Sequence, residues 1–410
     1  MSEPATIRER RDCRLCGSTA LEQVVQLAPT PPANAFTARA EPQATFPLEL
    51  MMCSNCEHLQ LHHVVDPELL FRDYVYAAGT SPVFVAHFKR YAEEAISRFA
   101  LGAGDLVVDV GSNDGTLLGF FQSSGLRVLG IDPAREIARR ATEAGIPTLP
   151  EFLDIATARR IRAEHGPARL VTANNVFAHV DDLAGFVAAV RELLAPDGVF
   201  IFEVSYALDV YEKTLFDTIY HEHLDYHSVK PLVGFFERAG LPLFAAERVP
   251  THGGSLRGMA GAGRLVDDAV GKRLAEEGVA QIGGATSWRA WSARIDALRD
   301  QLVALLAGLK AEGRSIAGYG APAKATTLLG NFGLGTETLD FIVDDSPLKQ
   351  GLLTPGSHIP VVAASALSER RPDYLLVLAW NFADSIIARN APFKEAGGRF
   401  IVPVPEVRVV

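Results

Sequence analysis

The chain has 410 residues, 48% hydrophobic and 21% charged, enough apolar material for two or three domains of ~150 residues each. Its 49 acidic against 39 basic residues leave a formal charge of −10, which argues against a partner bound by neutralising nucleic-acid phosphates. Collagen-like, disordered and disulfide-scaffold chains are excluded by composition. No segment reaches the ~20 uninterrupted apolar residues of a membrane helix. The N-terminal MSEPATIRERRD has no apolar signal core, so a soluble cytoplasmic protein that binds neither nucleic acid nor membrane is expected.

All four cysteines stand early, as Cys13 and Cys16 in CRLC and Cys53 and Cys56 in CSNC. Two CxxC pairs supply the four thiolates of a closed, structural zinc site. The interval from Cys16 to Cys53 exceeds the ~15–20 residues of the usual ribbon spacing, and thioredoxin-like redox chemistry is the rival reading. Gly17 and the Pro-rich LAPTPPANAF that follow favour knuckle and loop. His58, His62 and His63 are read as surface or interdomain histidines, since four thiolates suffice.

From Leu101 short β-rich runs alternate with longer amphipathic ones, the pattern of a parallel sheet wrapped by helices. DLVVDVGSNDGTLLGFF reads as a strand over Leu106–Val110, a glycine turn, and a helix from near Thr116. Gly111 and Gly115 allow close backbone approach, with Asp109, Asn113 and Asp114 as polar contacts. RVLGIDPAREIA is a second strand ending in Asp132, an acid placed to take both ribose hydroxyls of a nucleoside. VGSNDG departs from G-x-G-x-x-G and puts Asp114 where a pyrophosphate would sit. S-adenosylmethionine, cationic and phosphate-free, fits better than NAD. TANNVFAHV after a third strand then sends Asn174, Asn175 and His179 from the carboxyl edge of the sheet, where open α/β sheets bind ligands.

YHEHLDYH packs Tyr220, His221, Glu222, His223, Asp225, Tyr226 and His227 into one short run. A metal site, an acid–base site and a structural polar network compete. The alternate spacing of His221 and His223 is not the helical HExxH pair, and His223 beside Glu222 and Tyr220 suits a group titrating near neutrality. Farther on, GRSIAGYGAPAKATTLL repeats the strand, glycine turn and helix layout. Its loop carries Lys324 in place of an acid, framed by Tyr319 and Gly320, which suits a phosphate. DYLLVLAWN is a later strand delivering Asn381, and the helical stretch from about Ala290 to Lys310 reads as an interdomain connector.

Taken together, CRLC with CSNC, YVYAAGTS, VVDVGSNDGTLL, GIDPAREIA, NNVFAHV, YHEHLDYHS, HGGSLR, GYGAPAKATTLL, DDSPLKQGLLTPGSHIPV and WNFADSI resemble, in order and over nearly the whole chain, the sugar C-methyltransferases of antibiotic deoxysugar pathways. The resemblance implies an α/β protein: a small N-terminal zinc-binding segment (1–75), then two Rossmann-like, doubly wound parallel-sheet domains. The first (76–245) would bind S-adenosylmethionine and the second (246–410) a nucleotide-sugar, most naturally a dTDP-4-keto-6-deoxy sugar.

The reaction implied is proton abstraction beside the ketone and methyl transfer to the enolate carbon, with Tyr76, His179, Tyr220, Glu222 and His223 as active-site residues. We take His223 as the base, Glu222 as its orienter, and His179, Tyr76 or Tyr220 as donor to the oxyanion. Tyr319, Lys324 and Asn381 are the expected substrate contacts and a monomer is the expected state. Departures from the family pattern, Ala325 and Thr326 for Gly-Asn and Asp345 for Arg, fall in the presumed substrate domain. The alternatives are oxygen or nitrogen methylation, an NAD-type nucleotide-sugar oxidoreductase, and an epimerase or binding scaffold.

Overall fold

The computed structural model describes residues 7–72, 79 and 82–410; Tyr76 lies outside the described residues. The N-terminal unit carries β1 (Ile7–Glu9), β2 (Leu21–Thr30), β3 (Phe46–Cys53), β4 (Leu59–Leu61), β5 (His63–Val65) and α1 (Pro67–Phe71). In β3 the residues alternate, Leu48 and Leu50 buried and Glu49 between them on the outer side, as a sheet with one packed face requires.

The middle unit runs through α2 (Pro82–Phe99), β6 (Leu106–Val110), α3 (Thr116–Ser123), β7 (Arg127–Ile131), α4 (Arg135–Glu143), β8 (Thr148–Leu149), α5 (Ile155–His165), β9 (Ala168–Asn174), α6 (Leu183–Leu193), β10 (Leu194–Ser205), α7 (Ala207–Glu212), β11 (Asp225–Tyr226), α8 (Val229–Arg238), β12 (Leu243–Val249) and β13 (Ser255–Ala260). Its seven-stranded sheet has the order β12-β13-β10-β9-β6-β7-β8. β6 through β10 are parallel to their neighbours, and β13 returns antiparallel to both β10 and β12. All five residues of β6 are buried, because helices cover both faces. One apolar cluster fills one face with Tyr91, Phe99, Leu118 and Phe121. A larger one fills the other and continues into the N-terminal and C-terminal units.

After α9 (Asp268–Ala280) and α10 (Ala285–Ala311) comes a second sheet: β14 (Ile316–Tyr319), α11 (Ala323–Phe332), β15 (Ile342–Val343), β16 (Val361–Val362), β17 (Tyr374–Val377), β18 (Arg399–Val402) and β19 (Arg408–Val409). Its order is β16-β15-β14-β17-β18-β19, with only the β18–β19 pair antiparallel. The sheet of the middle unit thus extends past position 245, the boundary drawn from sequence. β13 pairs with β10 and β12 with β13, so both join the middle sheet rather than opening the last unit, because local alternation marks a strand without naming its neighbours. Helix α10 buries Trp288, Trp291, Ile295, Leu298, Leu302, Leu306 and Leu309, a continuous i, i+3/i+4 stripe that packs on β2. β11 joins the N-terminal sheet, whose order is β11-β4-β3-β2, so the YHEHLDYH segment is sewn to the cysteine-bearing unit.

Candidate active site

A cavity of about 1040 Å³ opens where the three units meet, at the carboxyl ends of both parallel sheets. That is the edge at which doubly wound sheets take ligands. Its first wall is the loop from β6 to α3. Gly111 has φ +70°, and a Cβ there would stand 2.2 Å from Val176 Cγ2, so only glycine fits. Asn113 is also left-handed, with φ 51°, and its N–H donates to Asp132 Oδ2 at 2.8 Å while Ala134 N–H donates to Oδ1 at 2.9 Å. Asp132 is therefore fixed at the tip of β7, and burial raises its pKa. Asp109 accepts a 2.5 Å hydrogen bond from the Thr172 hydroxyl, and burial drives its pKa up to about 7. Two carboxyls held at low polarity favour a cation beside them.

Asn174 and Asn175 also line the cavity, and Asn175 Nδ2 lies 3.3 Å from His252 Nε2. Asp114 lines it too, but its Oδ1 accepts from the Thr116 amide and hydroxyl and its Oδ2 from the Gly79 amide at 2.7 Å, which makes it a loop pin. Gly115 caps α3 with φ 77° and is not part of the cavity wall.

The second wall is the histidine-rich segment. Leu224 N–H donates to Ala178 O and Leu61 N–H to Leu224 O, both at 2.8 Å, while His58 Nε2 meets Asp225 Oδ1 at 2.7 Å. So anchored, the segment sends Tyr220, His221, Glu222 and His223 to the cavity; Asp225, Tyr226 and His227 are buried away from it. His223 Nδ1 is 2.8 Å from the Thr218 carbonyl, which can only accept, so the neutral ring carries its proton on Nδ1. Its Nε2 lone pair receives the Tyr220 hydroxyl at 2.8 Å. Burial pushes His223 down to about 4, below the near-neutral titration expected from sequence because the ring has lost its water, so it is neutral at physiological pH with Nε2 unprotonated. His179 is stacked between Phe71 and His223, with centroids 5.6 and 5.0 Å away, and burial lowers its pKa well below the usual value.

Glu222 differs from expectation. Its Oε1 accepts from Asn34 Nδ2 at 2.8 Å, while the groups that orient His223 are the Thr218 carbonyl and the Tyr220 hydroxyl. Successive side chains of a tight turn diverge, so adjacency in sequence did not make Glu222 the partner.

The third wall belongs to the C-terminal sheet. Lys324 Nζ donates to Asn381 Oδ1 at 2.6 Å and sits 3.5 Å from the centre of the Trp380 ring, whose Nε1 donates to Asp217 Oδ2 at 2.5 Å. Burial lowers Lys324 to about 8 against the opposing pull of Asp217. Lys324 and Asn381 line the cavity and Tyr319 does not; the Tyr319 hydroxyl accepts from Arg389 at 3.0 Å.

Sequence reading missed Asn34, Lys349 and His252, all on the cavity wall. Lys349 and His252 stand in runs singled out from sequence, DDSPLKQGLLTPGSHIPV and HGGSLR, and His252, beside two glycines, takes a left-handed φ of 53°, the kind of local strain that collects at binding sites.

The four thiols form a separate cluster. Cys13 Sγ and Cys56 Sγ are 3.5 Å apart, Cys16 Sγ and Cys53 Sγ 3.6 Å, far beyond the ~2.05 Å of a disulfide. They are close to the ~3.7 Å edge of a tetrahedron with ~2.3 Å metal–sulfur bonds. Both pairs build the same knuckle: Gly17 N–H donates to Cys13 O and Glu57 N–H to Cys53 O, each at 2.8 Å. The donor set and its spacing fit zinc.

Three family models match the chain: "Putative zinc binding domain" over residues 13–71, "Methyltransferase domain" over 84–245 and "C-methyltransferase C-terminal domain" over 250–405. The chain is 38% identical to the C-methyltransferase NovU of Streptomyces niveus over 98% of either protein. A ubiquinone biosynthesis O-methyltransferase of Methylobacterium sp. (strain 4-46) matches at 33% identity over 29% of this chain and 50% of that protein. Among solved structures, the magnesium protoporphyrin IX methyltransferase of Synechocystis with bound SAM aligns at 15% identity over 43% of this chain and 80% of that one, with a TM-score of 0.32.

Proposed function

Because the chain belongs to the family of the C-methyltransferase NovU and is thus a SAM-dependent C-methyltransferase, we propose that its acceptor is the carbon beside the ketone of a nucleotide-linked keto-deoxysugar. The observation that carries this reading is the Tyr220–His223 pair, a neutral imidazole whose unprotonated Nε2 accepts from a phenol at 2.8 Å, at the meeting point of an acid-lined wall and a lysine-bearing one. A base would serve a hydroxyl acceptor as well; carbon is favoured by the match to a C-methyltransferase and to the C-methyltransferase C-terminal domain.

Bound SAM would supply an electrophilic methyl on a cationic sulfur. Asp109 and Asp132 would hold the cationic and ribose parts of that ligand. His223 is the terminal proton acceptor. Thr218 holds Nδ1–H, so the α-proton ends on Nε2, directly or through the Tyr220 hydroxyl, and the imidazolium formed offsets the charge of the enolate. His179, or Tyr220 once released, donates to the developing oxyanion. Lys324, Asn381 and Lys349 would bind the nucleotide diphosphate, with dTDP-4-keto-6-deoxy sugars the acceptors to test first. The four thiolates of Cys13, Cys16, Cys53 and Cys56 are assigned to a structural zinc that pins the N-terminal unit.

The test is hydrogen exchange. Wild-type protein should exchange the substrate α-proton for solvent deuterium without SAM. His223→Asn should lose at least roughly 100-fold of that rate, the usual scale of general-base catalysis. Full-rate exchange by this variant would remove His223 from the role of base.

A further inference from the structure

A second group of metal-binding side chains lies on the N-terminal unit, apart from the four thiols and from the chemistry above: Glu49, His62 and His63. The backbone produces it. β4 ends at Leu61 and β5 begins at His63, and the bend at His62 is clamped by its N–H donating to Glu49 O at 3.0 Å. In an unbroken strand two consecutive side chains would face opposite ways. Here the bend turns both imidazoles to one side, their centroids 4.8 Å apart, against the outward-facing Glu49 of β3.

The spacings fit coordination, with His62 making a long hydrogen bond to Glu49 in the absence of an ion. Glu49 Oε2 is 3.3 Å from His62 Nδ1 and 3.6 Å from His63 Nδ1, longer than the ~2.9–3.0 Å typical of N–H···O bonds. An ion with ~2.0–2.1 Å bonds to nitrogen and oxygen sets its ligands ~3.3–3.4 Å apart. One ligand atom from each of the three residues lies within 4.8 Å of the others. His63 Nδ1 is shielded from water and has no hydrogen-bond partner, the unmet need a metal would satisfy. Glu9, paired across β1–β5 with His63, adds negative charge, although its carboxylate is held by Arg11 at 2.8 Å.

We propose that Glu49, His62 and His63 form a second divalent-metal site, a two-histidine, one-carboxylate set for an ion of the zinc class with water in its remaining positions. Thiolate sites bind such ions more tightly, so this one fills after the four cysteines. An ion here would tie β3 to the bend before Val64 and Val65, both on the cavity wall.

The test titrates the full chain with Co²⁺, following bound metal by equilibrium dialysis and the cobalt spectrum. Wild-type protein should take up two equivalents, the first with a thiolate charge-transfer band and the second with weak d–d bands alone. Glu49→Gln and His63→Ala should each keep the first and weaken the second at least tenfold. One equivalent in wild type, at any metal concentration that leaves the protein in solution, would overturn the site. So would a second equivalent bound equally well by both variants. Should His63→Ala lose the thiolate band as well, its fold has failed and the isosteric Glu49→Gln decides.

Discussion

The two parallel sheets solve one problem twice and differ in what they leave exposed. In the middle sheet Gly111 N–H donates to Ile131 O at 2.7 Å; in the C-terminal sheet Gly320 N–H donates to Val343 O at 2.7 Å. Asp132 accepts from Asn113 N–H and Ala134 N–H, and Asp344 accepts from Ala321 N–H and Ser346 N–H. A Cβ on Gly111 would strike Val176, just past the neighbouring β9, and a Cβ on Gly320 would strike Ala379, just past the neighbouring β17. The backbones are interchangeable in design, but the charges are not. One loop stands over buried acids, the other over the buried Lys324. The same scaffold thereby offers acidic surroundings on one side and a cationic group on the other, which is what the proposed transfer from a sulfonium cofactor to a nucleotide-linked acceptor would require.

The glycines break the comparison most sharply. Gly111→Ala places a methyl 2.2 Å from Val176 Cγ2 at φ +70°, with left-handed strain alone costing ~1–3 kcal/mol. SAM affinity should fall roughly 100-fold or more, read by calorimetry, with affinity for the nucleotide-sugar less affected. Gly320→Ala meets Ala379 Cβ at 2.6 Å and should give the mirror result, a raised acceptor KM with SAM affinity kept. Equal damage to both ligands by either variant would mean that the two loops do not serve separate ligands.

Acid should also separate the two regions. His221, His223, His227 and His252, in or beside the middle unit, are held by burial at about 4, whereas an unfolded histidine titrates near 6.5. Between those values the unfolded chain binds protons that the folded chain refuses, so stability falls as the pH is lowered from 6.5 toward 4, by up to ~1.4 kcal/mol per unit for each group. Hydrogen exchange at pH 5 should open the segments around β9, β11 and β13 before those around β14 and β17. Uniform loss of protection would remove the histidines as the cause.

That contrast also marks what the sequence could reveal. The strand over Leu106–Val110, the glycine turn and Asp132 were legible because each is a local pattern: an apolar run, a residue without Cβ, an acid at a strand end. Tyr220 and His223 were legible as a cluster, but their order of contact was not. It depends on the Thr218 carbonyl, a backbone atom with no residue signature. Asn34 reaches Glu222 from far along the chain, held there because the Thr326 hydroxyl donates to Ala33 O at 3.0 Å, and no periodicity encodes such a meeting. The position of β12 and β13 in the middle sheet was hidden likewise, because strand partners are chosen by packing.

Lys324 sharpens the charge difference. Burial lowers its pKa to about 8, and a diphosphate favours the protonated form, so acceptor affinity should be flat below pH 8 and decline above it as the ammonium loses its proton. Lys324→Met should raise the acceptor KM several-fold and remove that decline, while SAM affinity stays unchanged from pH 7 to 9. A decline that persists in the variant would assign the titration to another group.

The smallest expected effect concerns Asp345, next to Asp344 but more than half exposed. Its carboxylate meets Arg389 at 2.8 Å, with both side chains more than half exposed. Exposed pairs of this kind contribute ~0–1 kcal/mol, because water solvates each partner nearly as well as they solvate one another. Asp345→Asn should therefore leave the melting temperature almost unmoved in physiological salt. Arg389, released from Asp345, still donates to the Tyr319 hydroxyl, so the β14 edge keeps its shape. Any change in acceptor KM would then report a direct electrostatic influence of position 345 on an anionic ligand, with removal of the negative charge lowering KM, and an unchanged KM would confine the charge contrast between the two sheets to Lys324 and the buried acids.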